Sequence, residues 1–426
     1  MQSRDISRRE LIANAGRLAA VAAVPGVLAD AALGVTASGI VQSQALPAKA
    51  EFSIPPGITF LNSAWSHPLP TAGAEAMKRH ADTRARPAEV MPSSQAMVTQ
   101  VKQDFAALIG ATPREISFVP NTSTGENLLV NGLGIPAAAG SGINVVTDGL
   151  HFDGALVHLQ ALQRERKLDL RIVAPRDFRI DIADLERVID RKTRLVELSL
   201  VTMYNGFQHD LKAVCDLAHA HGAYVYADII QAVGAVPIDV RASGVDFCAC
   251  SGFKWLMSDF GLGFLYARDD LLERVITRSQ WGYHSVDTMQ THVQKYDPAG
   301  EGPLSWTAGT TASTHFEVGS NALGALAAMS VGLPLVRRLG VTNIEAHRQP
   351  LLKRLRDELP RLGFELVTPA DSRSPIITFA TRDGRAVADK FRAARINVRV
   401  APTFVRFSPS VFNDMADIDR VLAALA

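Results

Sequence analysis

The chain has 426 residues, of which 47% are hydrophobic, so it is long enough for two or three domains with a large core. The charges of its 44 basic and 43 acidic residues nearly cancel, and the basic residues form no continuous stripe along the sequence. This pattern argues against nucleic acid as a partner. The three cysteines, Cys215, Cys248 and Cys250, fit no metal-binding spacing, and we expect buried apolar thiols and no metal site.

The first 45 residues are typical of an export signal followed by a linker. Arg8 and Arg9 precede a weakly apolar run at 18–28, and small residues at 29–31 offer a cleavage site. This order resembles a twin-arginine signal, which implies the twin-arginine translocase as a transient partner, removal of the signal and a periplasmic location. A chance arginine pair on an amphipathic helix or a free arm is the alternative. The apolar run is too short and too weak for a membrane span.

Short apolar strands alternate with helices through the middle of the chain. Residues 46–73 are irregular, and helical patterns follow at 74–110. The patterns then predict strands at 115–119, 143–147, 170–174, 195–202, 224–228, 247–251 and 263–266, and helices at 123–133, 155–164, 182–190 and 212–221. This alternation predicts an α/β fold whose mainly parallel sheet is covered on both faces. From about 320 the pattern changes to helices at 322–339 and 345–359, and then to a smaller α+β unit.

Two polar residues lie at the ends of predicted strands, where an open α/β sheet binds its ligands. Asp228 ends the strand at 224–228. It could cap the next helix, or it could be the anion that pairs with the ring nitrogen of pyridoxal phosphate (PLP). Lys254 follows the strand at 247–251. It could be a solvated surface lysine, or an amine whose neutral form is favoured by apolar surroundings and which is suited to forming an imine.

Three further positions could bind an anion or a ring. Residues 121–126 lie between a strand and a helix, where hydroxyl and N–H groups either cap the helix or bind an anion. His151 follows the strand at 143–147, and it is either a capping or core histidine or an aromatic plate stacked on a cofactor. Arg406 lies inside an apolar strand. It is either part of a structural salt bridge or a guanidinium group that binds a carboxylate through two hydrogen bonds.

The order of these positions resembles the class V aminotransferase family of fold type I PLP enzymes, which includes cysteine desulfurases, isopenicillin N epimerases and kynureninases. The resemblance extends from Phe60 to about Leu422 and is most specific at 195–266. The matching motifs are Tyr204-Asn205-Gly206, Ala227-Asp228-Ile229-Ile230-Gln231, Asp246-Phe247 and Ser251-Gly252-Phe253-Lys254-Trp255. The resemblance implies a large PLP-binding domain at 74–320, around a mainly parallel seven-stranded sheet, and a small α+β domain built from 46–73 with 321–426.

The resemblance also implies a role for each candidate residue. Lys254 would carry PLP as a Schiff base, Asp228 would pair with the pyridinium nitrogen, and His151 would stack on the ring. Arg406 would bind the carboxylate of the substrate. The other cofactor contacts would be Gln231 and Asn205 near the ring hydroxyl, Ser123, Thr124 and Ser251 at the phosphate, and Thr310, in Trp306-Thr307-Ala308-Gly309-Thr310, at the phosphate of the neighbouring subunit.

The sequence departs from the family pattern at two places. Many relatives have a histidine just before the lysine, where this chain has Phe253. Desulfurases carry a reactive cysteine on a loop that corresponds to residues 400–404, and no cysteine occurs after Cys250. Persulfide transfer by the usual route is therefore not expected.

The resemblance leads us to expect an exported, homodimeric PLP enzyme. Its substrate would be an amino acid, or the amino group of a peptide-like metabolite, which it would transform in the manner of an aminotransferase through a carbanion at Cα. An epimerase or a C–S lyase of the same family is the alternative among enzymes. A catalytically silent binding protein on the same fold is the alternative from another class.

Overall fold

The computed structural model describes residues 45–86 and 94–426, so the predicted export signal lies outside the described residues except for Ala45. The strands are β1 (Thr59–Phe60), β2 (Ile116–Val119), β3 (Asn144–Asp148), β4 (Asp169–Val173), β5 (Thr193–Ser199), β6 (Tyr224–Asp228), β7 (Phe247–Ser251), β8 (Gly263–Ala267), β9 (Val286–Thr291), β10 (Leu304–Ala308), β11 (Glu365–Leu366), β12 (Ile377–Ala380), β13 (Ile396–Asn397), β14 (Arg399–Ala401) and β15 (Phe404–Phe407).

The α-helices lie between these strands and at the C-terminus. They are α1 (Thr71–Ala85), α2 (Gln95–Ile109), α3 (Thr122–Gly132), α4 (Ile135–Ala138), α5 (Asp153–Arg166), α6 (Ile182–Glu186), α7 (Leu211–Ala220), α8 (Val240–Ser243), α9 (Asp269–Leu272), α10 (Ala312–Phe316), α11 (Leu323–Leu339), α12 (Val341–Glu358), α13 (Gly384–Ala393) and α14 (Met415–Leu425).

Strands β2 to β8 form one seven-stranded sheet in the order β2-β8-β7-β6-β5-β3-β4. Strand β8 runs antiparallel to both of its neighbours, and the remaining pairs are parallel. The predicted α/β fold with a mainly parallel sheet is therefore confirmed. Because β2 and β7 both oppose β8, strands β2, β3, β5, β6 and β7 all end at the same edge of the sheet.

The central strands are buried on both faces, which explains their nearly continuous apolar sequences. Every residue of β3, β7 and β8 is buried, whereas the edge strand β4 alternates between buried and exposed residues. The predicted burial of Cys215, Cys248 and Cys250 is confirmed, and all three are free thiols. The sheet therefore gives a rigid support for the loops at its carboxyl edge.

The C-terminal part of the chain contains a second, antiparallel sheet in the order β11-β12-β15-β14. Strand β1 pairs in parallel with β13, and Leu61 packs among the buried side chains of this region, such as Phe379 and Phe407. The segment around residue 60 thus packs with the C-terminal elements. The exact limits proposed for the two domains stay a prediction.

The elements of the structure differ from the sequence-based ones at four places. The helical region predicted at 74–110 contains α1 and α2, and α1 ends beside Pro87, whose ring disfavours the helical conformation in the preceding residue. The helix predicted at 182–190 ends at Glu186, and the strand predicted at 195–202 occupies 193–199. The hairpin of β9 and β10 has no counterpart among the predicted strands, because polar residues separate its apolar ones and all of its residues but Val286 are exposed, so no continuous apolar run marks either strand.

In the described part of the chain, no single helix is long and apolar enough to cross a membrane. The bent pair Leu323–Leu339 and Val341–Leu362 meets those length and composition criteria when its two helices are taken together.

Candidate active site

The candidate residues from β5, β6 and β7 converge because these strands end side by side. The register pairs Ser199 with Asp228, and Asp228 with Ala249, so β5 and β6 end level and β7 continues for two residues beyond them. Ser251 ends β7, and Lys254 follows it in the next turn. The sheet thus brings a carboxylate, a hydroxyl and an amine to one edge.

Lys254 lies in the turn that links β7 to β8. The turn is closed by bonds from Gly252 N to Leu262 O at 2.8 Å and from Met257 N to Lys254 O at 2.9 Å. Burial lowers the pKa of the Lys254 amine to about 8, while the charge of Asp228 opposes this change and that of Arg406 adds to it. A solvated surface lysine is therefore the wrong interpretation, because the side chain is half-buried and about one-tenth of this amine is neutral, and so nucleophilic, at pH 7.

Asp228 is 3% exposed at the end of β6. Burial raises the pKa of its carboxyl group to about 6. Two effects act in the opposite direction and lower this pKa: the Ile230 N–H donates to Oδ1 at 2.9 Å, and the charges of His151 and Lys254 lie nearby. Asp228 is consequently mostly ionised at pH 7. It is a buried anion that could pair with a cationic ring nitrogen.

His151 is fully buried beyond the end of β3. Its Nδ1 lies 2.8 Å from Ser199 Oγ, and its Nε2 lies 3.3 Å from Glu197 Oε1. Both nitrogens are therefore held by side chains of β5, which fixes the plane of the imidazole. Stacking of this plane on a cofactor ring stays a prediction.

The N-terminus of α3 is fastened to the end of β7. Thr122 N donates to Ser251 Oγ at 3.0 Å, and Asn121 caps the helix by accepting from Thr124 N at 2.8 Å. A Cβ atom at Gly125 would lie 3.0 Å from Ala249 Cβ, so glycine permits the close approach of helix and strand. This geometry places Ser123, Thr124 and Ser251 around one helix N-terminus, which is suited to binding a phosphate.

The amide groups of Gln231 and Asn205 already have partners in the chain. Gln231 Nε2 donates to Ala64 O, and Gln231 Oε1 accepts from Trp255 Nε1, both at 3.0 Å. Asn205 Oδ1 accepts from the Thr202 hydroxyl at 2.6 Å, and its Nδ2 donates to Phe178 O at 2.7 Å. These contacts indicate that the Asn205 side chain stabilises the turn in which it lies. The roles of both residues at a ring hydroxyl stay predictions.

Arg406 in β15 is a buried cation that faces the same region. Its Nη1 donates to Met203 O at 2.6 Å, and its Nε is buried without a partner among the described residues. Burial, with a further contribution from the charge of Arg399, lowers its pKa to about 10, so it stays charged at neutral pH. In the described part of the chain it pairs with no carboxylate, which removes the structural salt bridge as an explanation. An unpaired buried guanidinium suits the carboxylate of a ligand.

Thr310 lies apart from this group within one chain. It is exposed just after β10, and Arg114 Nη2 lies 3.3 Å from its hydroxyl. Its role at the phosphate of a neighbouring subunit stays a prediction.

The structure adds residues that were not among the sequence candidates. Arg399 lies directly opposite Arg406 in the β14–β15 pair, and its guanidinium carbon lies 5.4 Å from the ring centre of Trp65. Glu126 and Glu197 are buried beside His151. Glu197 could have been noticed in the sequence, because it is a carboxylate among the apolar residues Leu195, Val196 and Leu198 of β5.

Together, these residues fit PLP by the chemistry of their groups. A buried amine of lowered pKa lies near a buried carboxylate, and a helix N-terminus with hydroxyl groups lies at the same edge of the sheet. The orphaned Arg406 Nε provides a separate site for the carboxylate of an amino acid.

Comparisons with known proteins agree with this fit. The model of the family described as aminotransferase class-V matches residues 77–421. A cysteine desulfurase of Klebsiella pneumoniae subsp. pneumoniae is 29% identical over 399 residues, covering 86% of this chain and 92% of the relative. The apo structure of a cysteine desulfurase from Thermococcus onnurineus superposes with a TM-score of 0.77 at 21% identity, covering 89% of this chain and 97% of that one. A C-DES mutant with glycine covalently linked to its PLP cofactor gives a TM-score of 0.75 at 23% identity, covering 88% and 98%.

Proposed function

This chain belongs to the aminotransferase class-V family of PLP-dependent enzymes, and from that premise we propose that it transforms a carboxylate-bearing amino acid, or the amino group of a peptide-like metabolite, at Cα. The observation that carries the proposal is the grouping of the Lys254 amine, the Asp228 carboxylate and the unpaired Arg406 guanidinium around one edge of the sheet. When bound, PLP supplies an electron sink for the bonds at Cα.

Each residue of the site then has a distinct task. Lys254 would hold the cofactor through Nζ, and its free amine would move the proton at the substrate Cα. Asp228 would supply a negative charge for the ring nitrogen. Arg406 would bind the substrate carboxylate and so fix which bond at Cα lies next to the lysine amine. The N-terminus of α3 would hold the phosphate of the cofactor.

C–S bond cleavage is the second candidate, and it is favoured by the relatives named cysteine desulfurase and by a solved structure of the cystine C–S lyase C-DES at 23% identity. Sulfur transfer to a thiol of the enzyme is not proposed. All three cysteines are buried, and burial raises the thiol pKa of Cys215, Cys248 and Cys250. A lyase of this chain would therefore release sulfur without storing it on a cysteine.

A panel of amines incubated with the holoenzyme tests the proposal and separates the candidates. We expect α-amino acids to change the visible spectrum and the matching amines without a carboxylate to do so weakly, because those amines leave Arg406 unpaired. A keto acid product would identify transamination, an inverted amino acid epimerisation, and sulfide from cysteine or cystine C–S cleavage. A spectrum that no amino acid or peptide changes would contradict the proposed function.

PLP uptake by the apoenzyme should become faster with rising pH and be half-maximal near pH 8. Only the neutral amine attacks the aldehyde, and burial lowers the pKa of Lys254 from 10.5 to about 8. Below the lowered pKa the amine is mostly protonated, and above it the rate should level off. Stopped-flow absorbance at several pH values measures this rate. A rate that still rises tenfold per unit above about pH 9 would contradict the lowered pKa.

We also propose that two copies of the chain form a homodimer through the hairpin of β9 and β10. Its exposed apolar side chains include Met289 and Trp306, which are 54% and 49% exposed, and Trp281 packs 5.3 Å from Trp306. Changing Met289 and Trp306 together to glutamate should yield a monomer in sedimentation analysis, whereas glutamate at the exposed Phe178 should leave a dimer. A dimer that survives the double change would place the interface elsewhere.

Export through the twin-arginine route is proposed from the sequence alone. The basic pair Arg8 and Arg9, the apolar run and the small residues at 29–31 support it. The double change Arg8→Lys and Arg9→Lys should leave the protein in the cytoplasm, as measured by cell fractionation. The double change Arg84→Lys and Arg86→Lys is the control, and unchanged export of the Arg8 and Arg9 variant would contradict the route.

A further inference from the structure

Both ring nitrogens of His151 lie within hydrogen-bond distance of side chains from β5. Glu197 and Ser199 are two residues apart in β5, so they point to the same face of the sheet. Ser199 Oγ lies 2.8 Å from Nδ1, and Glu197 Oε1 lies 3.3 Å from Nε2. His151 and Glu197 are fully buried. A carboxyl group therefore stands behind the imidazole that would face the cofactor.

A second buried carboxyl group lies against the first. Glu126, in α3, is 2% exposed, and one oxygen of its carboxyl group lies within 4.8 Å of a carboxyl oxygen of Glu197. Its Oε1 also lies 3.1 Å from Nδ1 of His158, in α5. Two carboxyl groups can form a hydrogen bond only if one of them carries a proton, because two carboxylates offer no donor.

The surroundings favour keeping that proton. In the described part of the chain, only histidines form ion pairs with these two carboxyl groups, and no lysine or arginine does. Burial raises the pKa of Glu197 to about 8, and burial together with the charge of Glu197 raises that of Glu126 to about 7. Glu197 Oε2 is buried and lacks a donor among the described residues, and a shared proton supplies one.

The other titratable groups that face the pair come from the neighbouring strand and from α5. Tyr226 and Asp228 lie in β6, and the charge of Asp228 acts on Glu197 in the same direction as burial. The side chain of His158 is 16% exposed and is the member of the group that lies nearest to solvent. Protons can thus reach the buried pair through one imidazole.

We propose that Glu126 and Glu197 hold one proton between them, and that Glu197 is a positioning residue that, with Ser199, fixes the plane of His151 against the cofactor ring. The positioning role rests on the proposed function, since it requires the ring to lie on His151. The carboxyl pair itself does not require the cofactor.

Infrared spectroscopy of the apoenzyme and the holoenzyme near pH 7 tests the shared proton directly. The C=O band of a protonated carboxyl group should be present in the wild type and be shifted or lost in both Glu126→Gln and Glu197→Gln. The matched control is Glu345→Gln, since Glu345 is also a buried glutamate but pairs with Arg373 at 2.5 Å, and it should leave the band unchanged. A band that is missing in the wild type, or that is unchanged in both variants, would overturn the pair. A divalent cation bound in stoichiometric amount would overturn it too, because the acidic oxygens and a nitrogen of His151 lie within 4.8 Å of one another.

The affinity for PLP tests the positioning role. Glu197→Leu removes the bond to His151 at nearly constant volume, and we expect about tenfold weaker PLP binding and a shifted visible spectrum, as lost stacking would cause. Glu197→Gln keeps a bond to Nε2 and should restore most of the affinity, and Glu345→Leu should change it less than about twofold.

The outcomes of this second test remain separable from those of the proposed function. Wild-type affinity and spectrum in Glu197→Leu would overturn the positioning role. A wild-type protein that takes up no PLP would contradict the proposed function, and the infrared band of the apoenzyme would still decide whether the carboxyl pair exists. If Glu197→Leu does not fold, Ser199→Ala decides, because it removes the contact at Nδ1 of His151 and should weaken PLP binding, whereas wild-type affinity in this variant would overturn the positioning role.

Discussion

Lys254→Ala is expected to lower kcat/KM by about 10⁴-fold or more and to abolish the borohydride-stable attachment of PLP. The amine is the covalent anchor and also the group that moves the proton at Cα, and positioned proton transfer alone contributes about 10²- to 10⁴-fold. Burial makes this amine neutral enough to do both, with a pKa of about 8. Turnover with the best amino acid of the panel and the absorbance of reduced protein measure the two losses.

The matched control for this change is Lys353→Ala. Lys353 is exposed on α12 and pairs with Asp357 at 2.5 Å, so its removal should change stability by only a few tenths of a kcal/mol and leave turnover intact. An equal loss in both variants would mean that the effect is not specific to the site. Near-normal turnover in Lys254→Ala would show that another group carries the proton.

Asp228→Asn should lower kcat by about 10²- to 10⁴-fold while PLP remains bound. Asparagine keeps the shape and can still accept the Ile230 N–H, which lies 2.9 Å from Oδ1, but it cannot balance a positive ring nitrogen. Removing one partner of a buried charge pair costs about 3–5 kcal/mol. A rise of this size in the activation free energy gives the expected range of the rate loss. Steady-state kinetics with cofactor content measured in parallel gives the test.

Asp104→Asn is the control for Asp228→Asn. Asp104 is also buried but pairs with Arg337, at a distance from the site residues along α2, so its change should affect stability and not kcat. Loss of PLP together with loss of rate in Asp228→Asn would mean that the carboxylate serves mainly to bind the cofactor. An unchanged kcat would remove Asp228 from the mechanism.

The central part of the fold and site could be predicted because its strands are buried on both faces. Strands β6 and β7 have the bounds that the sequence predicted, and continuous apolar runs leave few alternatives for where such strands end. The placement of Asp228 and Lys254 at one edge follows from those bounds and from the parallel direction of the strands. Their altered pKa values follow from burial, which the apolar neighbours already indicated.

Contacts between distant segments could not be predicted in the same way. The close approach of Glu126 and Glu197 joins a helix to a strand, and no spacing in the sequence places the two side chains together. Arg399 meets Arg406 only through the register of β14 and β15, which depends on the turn between them. The β9–β10 hairpin is mostly exposed, and polar residues separate its apolar ones, so it lacks the continuous apolar run from which the buried strands were recognised.

The attachment point of the cofactor is the central claim, and peptide mapping tests it most directly. Holoenzyme is reduced with borohydride and digested, and mass spectrometry locates the phosphopyridoxyl group. We predict one modified site, on Lys254, and no modified peptide from the Lys254→Ala protein treated in the same way. A phosphopyridoxyl group on a different lysine, or none in a protein that turns over amino acids, would contradict the account.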